Sequence, residues 1–451
     1  MTEAVRPARR CRPAIMYNTR MKFFIRTFGC QMNENDSEHI AGVLAAAGAE
    51  KAGRPEEADL VIVNTCAVRE KSEEKLYSYL GRLSSLKKKR PFLIGVAGCV
   101  AQIRRRNLIR NRPFIDFVVG PDNYREIPGL VERAGAPCVR TGRGREWREF
   151  GHGETLRENP AVAYVTVMEG CDNFCAYCIV PFSRGRERFR PAANILREVR
   201  EVAADGSREV EFLGQNVDAY RDPETGRGLD ALLDETSAMA GIEWMRFITS
   251  HPRNFGDEII QAMRRNPKVC RQLHLPLQSG STSVLKRMNR GYSRDDYLAL
   301  VDRLETALPG LQLSTDIIVG FPGETEADFE ETCDVVRRVR FAGIFSFRYS
   351  PRPLTAAARL PDDVPLEVKR RRLLALQGLQ KTIQLGLNQS FIGQTVKVLC
   401  SGPGLRGPGR FSGRTEGNLV VNFSAPEDPT GRFVAVRVTG CGPYSLHGEL
   451  A

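Results

Sequence analysis

The sequence predicts an α/β protein in three parts: an open parallel α/β domain, a central partial (β/α)6 barrel and a small antiparallel β-barrel. Three observations predict it. Up to about residue 390, short apolar runs alternate with helical stretches, the pattern of parallel sheets. Six such units recur in the middle of the chain, too few for the usual eight-fold barrel. Beyond them the pattern changes to glycine-rich β runs with no helices between.

In order, "KFFIRTFG" reads as a strand, residues 34–47 as a helix, "DLVIVNT" as a buried strand and residues 70–86 as a second helix. "PFLIGVAG" and "DFVVG" follow as strands, and the Gly/Arg/Glu-rich "RTGRGREWREFGHGETLREN" reads as a linker. The second part has strands at "AYVTVME", "EVEFLG", "WMRFITS", "QLHLPL", "LSTDIIVG" and "GIFSFRYS", with helices between them such as 193–205 and 294–307. A charged helix at 366–387 closes it. The last part has β runs at "QTVKVLCSG", "RFSGRTEGNLVVNF" and "RFVAVRVTGCG", the pattern of a small barrel that serves as a single-strand nucleic-acid platform.

With 451 residues, 42% hydrophobic and 27% charged, the chain reads as an ordinary globular protein of several domains. No apolar run reaches the ~20 residues of a membrane helix, so no membrane partner is expected. Residues 1–20 are basic but lack a signal-peptide core. They are expected to be a disordered tail, or to reflect a start set upstream of Met21. A net charge of +12 points to a polyanionic partner. Twelve cysteines without an export signal point to the cytoplasm and to metal binding or catalysis rather than disulfides.

Cys171, Cys175 and Cys178 form C-x3-C-x2-C directly after a strand. Zinc sites usually pair C-x2-C with a second pair or with histidines, and neither His152 nor His251 stands at such spacing. Three thiolates in one loop suit three corners of a cubane iron–sulfur cluster, with the fourth iron open to a non-protein ligand. Cys30, Cys66 and Cys99 each follow a predicted strand, 36 and then 33 residues apart. In an open parallel sheet those strand ends face one crevice, so the three are expected to converge on a second cluster. Any one of them alone reads as a buried core cysteine. The other six cysteines read as core filler or, for Cys11, as part of the tail.

The C-x3-C-x2-C loop resembles that of the radical S-adenosylmethionine (SAM) superfamily. The resemblance implies that SAM chelates the open iron, that Tyr177 is the aromatic before the last cysteine, and that the reduced cluster cleaves SAM to a radical. The whole chain from Met21 to Leu450 resembles the methylthiotransferase family. The motifs that carry it are "TFGCQMNENDSEHI", "NTCAVREKSEEKLYSYLG", "GCVAQ", "GCDNFCAYCIVPFSRGRERFRP", "FLGQNVDAY", "SHPRNF", "LHLPLQSGS", "MNRGYSRDDY", "DIIVGFPGETEADF" and "FRYSPRPLTAAA". The resemblance implies a methylthiotransferase domain at 21–140 that holds an auxiliary [4Fe-4S] cluster. It further implies a linker at 141–156, a radical-SAM domain at 157–387 with its own [4Fe-4S] cluster, and an RNA-binding TRAM domain at 388–451. Leu354 departs from the family's glycine.

Within the family, "FGCQMN" resembles the branch that adds a methylthio group to carbon 2 of isopentenyl-modified adenosine, 3′ of the anticodon in tRNA. One SAM would methylate a sulfur on the auxiliary cluster and a second would supply the radical that activates the unactivated C–H carbon. The implied partners are the tRNA anticodon stem-loop and a flavodoxin or ferredoxin-type electron donor, with the chain a monomer. Other acceptors stay open: threonylcarbamoyl-adenosine in tRNA or a ribosomal-protein aspartate. So does a non-catalytic RNA-binding redox sensor, which would need one cluster only.

Candidate SAM contacts are Tyr177 and the carboxyl-end residues Gln215, Asn216, Ser250, His251, Gln278, Ser279 and Asp316, since those ends of β/α barrels face the site. For His251 and Asp316 a helix cap or core hydrogen bond is the competing reading. Arg184, Arg186, Arg188 and Arg190 are expected to clamp tRNA, or else to form a solvated basic loop. In the last part Arg406, Arg410, Arg414, Phe411 and Phe423 are expected to bind phosphate and stack on bases.

Overall fold

The computed structural model describes residues 21–451 apart from 134, 145, 146, 148 and 405–408. The expected tail at 1–20, with Cys11, and the expected RNA contact Arg406 therefore lie outside the described residues. The chain divides into two compact units, residues 1–156 and 157–451.

The first unit is built on a six-stranded parallel sheet. In chain order its strands are β1 (Lys22–Phe28), β2 (Glu50–Lys51), β3 (Leu60–Thr65), β4 (Leu93–Ala97), β5 (Phe117–Val119) and β6 (Cys138–Arg140), arranged β2-β1-β3-β4-β5-β6. Its helices are α1 (Gln31–Ala46), α2 (Glu70–Lys87), α3 (Cys99–Arg104), α4 (Arg106–Asn111) and α5 (Ile127–Glu132). All six residues of β3 are buried, as a central parallel strand covered on both faces requires. Phe23, Ile40, Leu44, Leu60, Ile62 and Phe117 pack together on one side. Residues 150–156 lie against α1: Phe150 stacks on His39 at 4.2 Å, and Leu156 N–H donates to the Glu38 carbonyl at 3.0 Å.

The second unit begins with β7 (Val162–Thr166), followed by the two-residue strands β8 (Met168–Glu169) and β9 (Arg188–Phe189), which pair with each other. Five barrel strands follow: β10 (Glu209–Leu213), β11 (Trp244–Phe247), β12 (Gln272–His274), β13 (Gln312–Val319) and β14 (Gly343–Arg348). With β7 they form two parallel runs, β11-β10-β7 and β12-β13-β14, linked by a bridge from Met245 to Val269. The helices between are α6 (Val180–Ser183), α7 (Ala192–Ala204), α8 (Leu229–Ser237), α9 (Asp257–Arg265), α10 (Thr282–Arg287), α11 (Arg294–Ala307) and α12 (Glu326–Val339). Alternation decides what faces what. Val210, Phe212, Met245, Leu273, Leu313 and Ile317 pack in the core with the helices. Their neighbours Glu211, Arg246, His274, Ser314 and Asp316 take the opposite face.

After α13 (Leu366–Gln389) the chain forms a closed barrel of β15 (Thr395–Pro403), β16 (Arg410–Thr415), β17 (Val420–Ser424), β18 (Phe433–Cys441) and β19 (Leu446–Leu450). It is not wholly antiparallel as expected, because β17 and β19 run parallel. A ring of five strands cannot alternate direction all the way round, so closure imposes one parallel pair. The barrel is fastened to the rest of its unit by Arg246. That guanidinium pairs with Glu209 at 3.0 Å and donates to the Thr415 and Glu416 carbonyls at 2.8 and 2.7 Å. Trp244 meets Phe433 edge-on at 4.7 Å beside it.

Candidate active site

In the first unit β1, β3 and β4 are hydrogen-bonded neighbours, with Phe28 beside Thr65 and Asn64 beside Ala97. Cys30, Cys66 and Cys99 lie one or two residues past those strand ends, and so share one edge of the sheet. The Cys66 thiol hydrogen-bonds that of Cys30, and this bond, burial and the charges of Cys30 and Cys99 push it well above its ordinary pKa. Cys30 caps α1, whose first-turn amides favour an anion at that end. A buried amide lattice underlies the thiols. Asn33 donates to Asn64 Oδ1 at 3.2 Å, and Asn64 donates to the Asn33 carbonyl at 2.8 Å and to Ser37 Oγ at 2.9 Å. The turn into Cys99 needs glycine: Gly98 has φ +88°, and a Cβ there would lie 2.2 Å from Asn64 Oδ1.

In the second unit the loop after β8 carries Cys171, Cys175 and Cys178. Burial pushes the Cys171 thiol up to about 11 and that of Cys178 up to about 12. Each sulfur accepts from the chain: Cys171 from Asn173 Nδ2 at 3.6 Å, Cys178 from Val180 N–H at 3.5 Å and Cys175 from Arg290 at 3.3 Å. His251 Nδ1 accepts from Arg253 N–H at 3.3 Å, which leaves the ring proton on Nε2, 4.0 Å from Cys175 Sγ. Burial first, then Arg290 and Arg253, hold His251 neutral, down to about 2. Asp218 accepts the His251 backbone N–H at 2.7 Å, and burial pushes its carboxyl up to about 8. Among the described residues no three His, Cys, Asp or Glu side chains stand close enough to hold a single metal ion.

Polar atoms of this unit are buried without a partner: Gln215 Nε2, Asn216 Oδ1, Asp218 Oδ1 and Ser250 Oγ. Gln215, Asn216 and Ser250 lie just past the carboxyl ends of β10 and β11. Buried polar groups are normally satisfied, so a polar ligand suits them.

Three family models match the chain. One is described as Uncharacterized protein family UPF0004 over residues 22–120, one as the Radical SAM superfamily over 165–336, and one as the TRAM domain over 389–451. A protein of Thermotoga petrophila named tRNA-2-methylthio-N(6)-dimethylallyladenosine synthase is 46% identical over 433 residues, 95% of this chain and 97% of that one. Its namesake from Moorella thermoacetica is 44% identical over 442 residues, 96% and 99% of the two chains. The chain belongs to this synthase family. Among solved structures, the radical S-adenosylmethionine methyltransferase TsrM of Kitasatospora setae, with cobalamin and a [4Fe-4S] cluster bound, has the same kind of fold. It is 14% identical with a TM-score of 0.55, over 75% of this chain and 77% of that one.

Within this family member the other expected contacts are placed as follows. Tyr177 lies in the cysteine loop with its hydroxyl 3.4 Å from Arg290. Gln215 Oε1 accepts the Gly170 N–H at 2.5 Å, and Asn216 Nδ2 donates to Glu187 at 2.9 Å. Gln278 is buried with φ +73°. Ser279 is also buried and hydrogen-bonds Thr332, a structural role. Asp316 sits 3.4 Å from His274 Nε2 on the face opposite the helices.

The expected tRNA clamp is corrected. Arg184 and Arg190 are buried in ion pairs with Glu169 and Glu198, and Arg188 is largely covered and paired with Glu169 at 2.6 Å. Only Arg186 of the four stands out, paired with Asp172 and lying over the exposed Phe174 ring. Phe411 and Phe423 are likewise corrected: both point into the barrel and pack on each other at 6.3 Å. Arg410 and Arg414 are exposed. Sequence reasoning passed over Asn33, Asn64, Asp218 and Arg290. The two asparagines were signalled only by lying within three residues of a cysteine.

Proposed function

We propose that the chain methylthiolates carbon 2 of dimethylallyl-modified (isopentenyl) adenosine next to the anticodon of tRNA, using SAM and two [4Fe-4S] clusters. The observation that carries this reading is full-length membership of the synthase family together with two separate three-thiol sets, one per unit. Cys171, Cys175 and Cys178 would hold one cluster, and Cys30, Cys66 and Cys99 the other. Three thiols gathered in one set suit three corners of a cubane. Bound there, the clusters and SAM supply the radical and sulfur chemistry that an unactivated C–H carbon demands.

The chain's own residues hold and shield these groups. Asn33 and Asn64 brace the first thiol set, and the α1 terminus favours its negative charge. Gln215, Asn216 and Ser250 offer unsatisfied polar atoms to SAM. The neutral His251 can donate to Cys175 without adding charge. Arg410 and Arg414 on the TRAM barrel, with Arg186, are the candidate phosphate contacts for an anticodon stem-loop. A flavodoxin or ferredoxin is the expected electron donor, and a cytoplasmic monomer the expected state.

The test is mass spectrometry of anticodon-loop nucleosides. A strain lacking the protein is expected to accumulate the adenosine without its methylthio group. The gene should restore it, whereas Cys171→Ala or Cys66→Ala should not, although both variants still bind tRNA. An unchanged nucleoside profile in the deletion strain sinks the reading.

A further inference from the structure

Among the described residues of the second unit five arginines are buried: Arg184, Arg190, Arg246, Arg290 and Arg372. Four of them pair with a carboxylate: Glu169, Glu198, Glu209 and Glu324 respectively. Arg290 is the exception, for among the described residues no carboxylate pairs with it. Its donors go elsewhere: Nε to the Tyr292 hydroxyl at 2.9 Å, one terminal nitrogen to the Pro276 carbonyl at 2.9 Å, and the other to Cys175 Sγ at 3.3 Å and the Tyr177 hydroxyl at 3.4 Å.

A guanidinium cannot shed its proton, and a buried charge without a counter-charge is strongly disfavoured. The two tyrosines do not supply that charge, because a phenol is neutral at physiological pH. The remaining candidate anion in contact with Arg290 is the sulfur of Cys175. As a cluster ligand that sulfur would be a thiolate, the form in which cysteine binds metal, and it would complete the pair.

We propose that Arg290 is a positioning residue that sets the reduction potential of the cluster at Cys171, Cys175 and Cys178, as counter-charge and hydrogen-bond donor to Cys175. One-electron reduction by a flavodoxin or ferredoxin-type donor adds one negative charge to the cluster. No proton need follow, since Arg290 is positive before and after. A fixed cation 3.3 Å from a ligand sulfur stabilises the reduced state over the oxidised one, and hydrogen bonds to cluster sulfurs shift the potential in the same direction. His251 Nε2, 4.0 Å from the same sulfur, is a second and weaker donor.

The inference rests on the cluster assignment above, and the experiment separates the two. The full-length protein is reconstituted with iron and sulfide and titrated potentiometrically without SAM. The cluster in question is identified by the paramagnetic signal that changes when SAM is added. No SAM-responsive signal in the wild type sinks the cluster assignment itself. With the signal present, Arg290→Met is expected to weaken the reduced state at least tenfold, a fall of about 59 mV for a one-electron couple. Arg290→Lys, which keeps the charge but not the planar donor, should fall by less. An Arg290→Met midpoint equal to the wild type, with weaker SAM binding instead, overturns the inference and makes Arg290 a SAM contact. If Arg290→Met does not retain iron, Arg290→Lys decides: a lowered midpoint supports the proposal and an unchanged one overturns it.

Discussion

At Asp218 a single carboxyl group is held where water cannot reach it. One oxygen accepts the His251 N–H and the other has no partner. Burial raises its pKa to about 8, well above the unfolded value near 4. Between those two pH values the folded chain keeps a proton that the unfolded chain releases, so stability falls as pH rises across the window. Asp218→Asn removes that slope. Its melting temperature, measured at intervals from pH 5 to pH 8, should gain steadily on the wild type. A constant difference across the range would mean that Asp218 is ionised when folded. Residues of this kind are the least legible in a sequence, because a carboxylate in "QNVDAY" carries no mark of its burial. The same holds for Arg290, and for Arg184 and Arg190, whose carboxylate partners lie 15 and 8 positions away. The cysteines were legible because their chemistry is narrow and their spacing is set by strand and loop.

At the scale of elements, the strand-to-helix turns do the placing. Gly98 joins β4 to α3 in a conformation that side chains rarely adopt, with Asn64 pressed against it. Gly98→Ala is expected to destabilise the first unit by about 1–3 kcal/mol, read as a lower denaturant midpoint, and, on the proposed cluster assignment, to lower the iron bound there. A variant with wild-type stability and iron content would show that the turn can relax. Leu354 adopts φ +73°, a conformation that glycine takes without the steric cost a side chain brings. The longer strands were legible from their apolar runs and alternation, whereas the two- and three-residue strands β2, β6 and β9 carry too few residues to show either. The start of α1 was not legible, because its cap is Cys30 rather than Ser, Thr, Asp or Asn. β19, "LHGEL", was missed because a glycine and a charge break its pattern, and only closure of the ring makes it a strand. Phe411 and Phe423 were misread for a related reason: alternation gives two faces but does not say which one is inside.

At the scale of the whole molecule, Arg246 holds the second unit together as one body. It is buried with Glu209 and caps the turn between β16 and β17 through two backbone carbonyls. Removing one member of such a pair leaves the other charge buried, a loss of about 3–5 kcal/mol. Arg246→Met should therefore lower the denaturant midpoint and weaken tRNA binding, while SAM binding is kept. Full tRNA affinity in a destabilised Arg246→Met would show that the docking matters for stability alone.

The two margins of the parallel sheet are its short strands, Glu50–Lys51 and Cys138–Arg140, and the terminal barrel has no margin at all. Unpaired strand edges are the usual templates for aggregation. A neighbouring copy therefore finds only two- and three-residue margins to extend on the first unit's sheet, which leaves that sheet little with which to template a deposit.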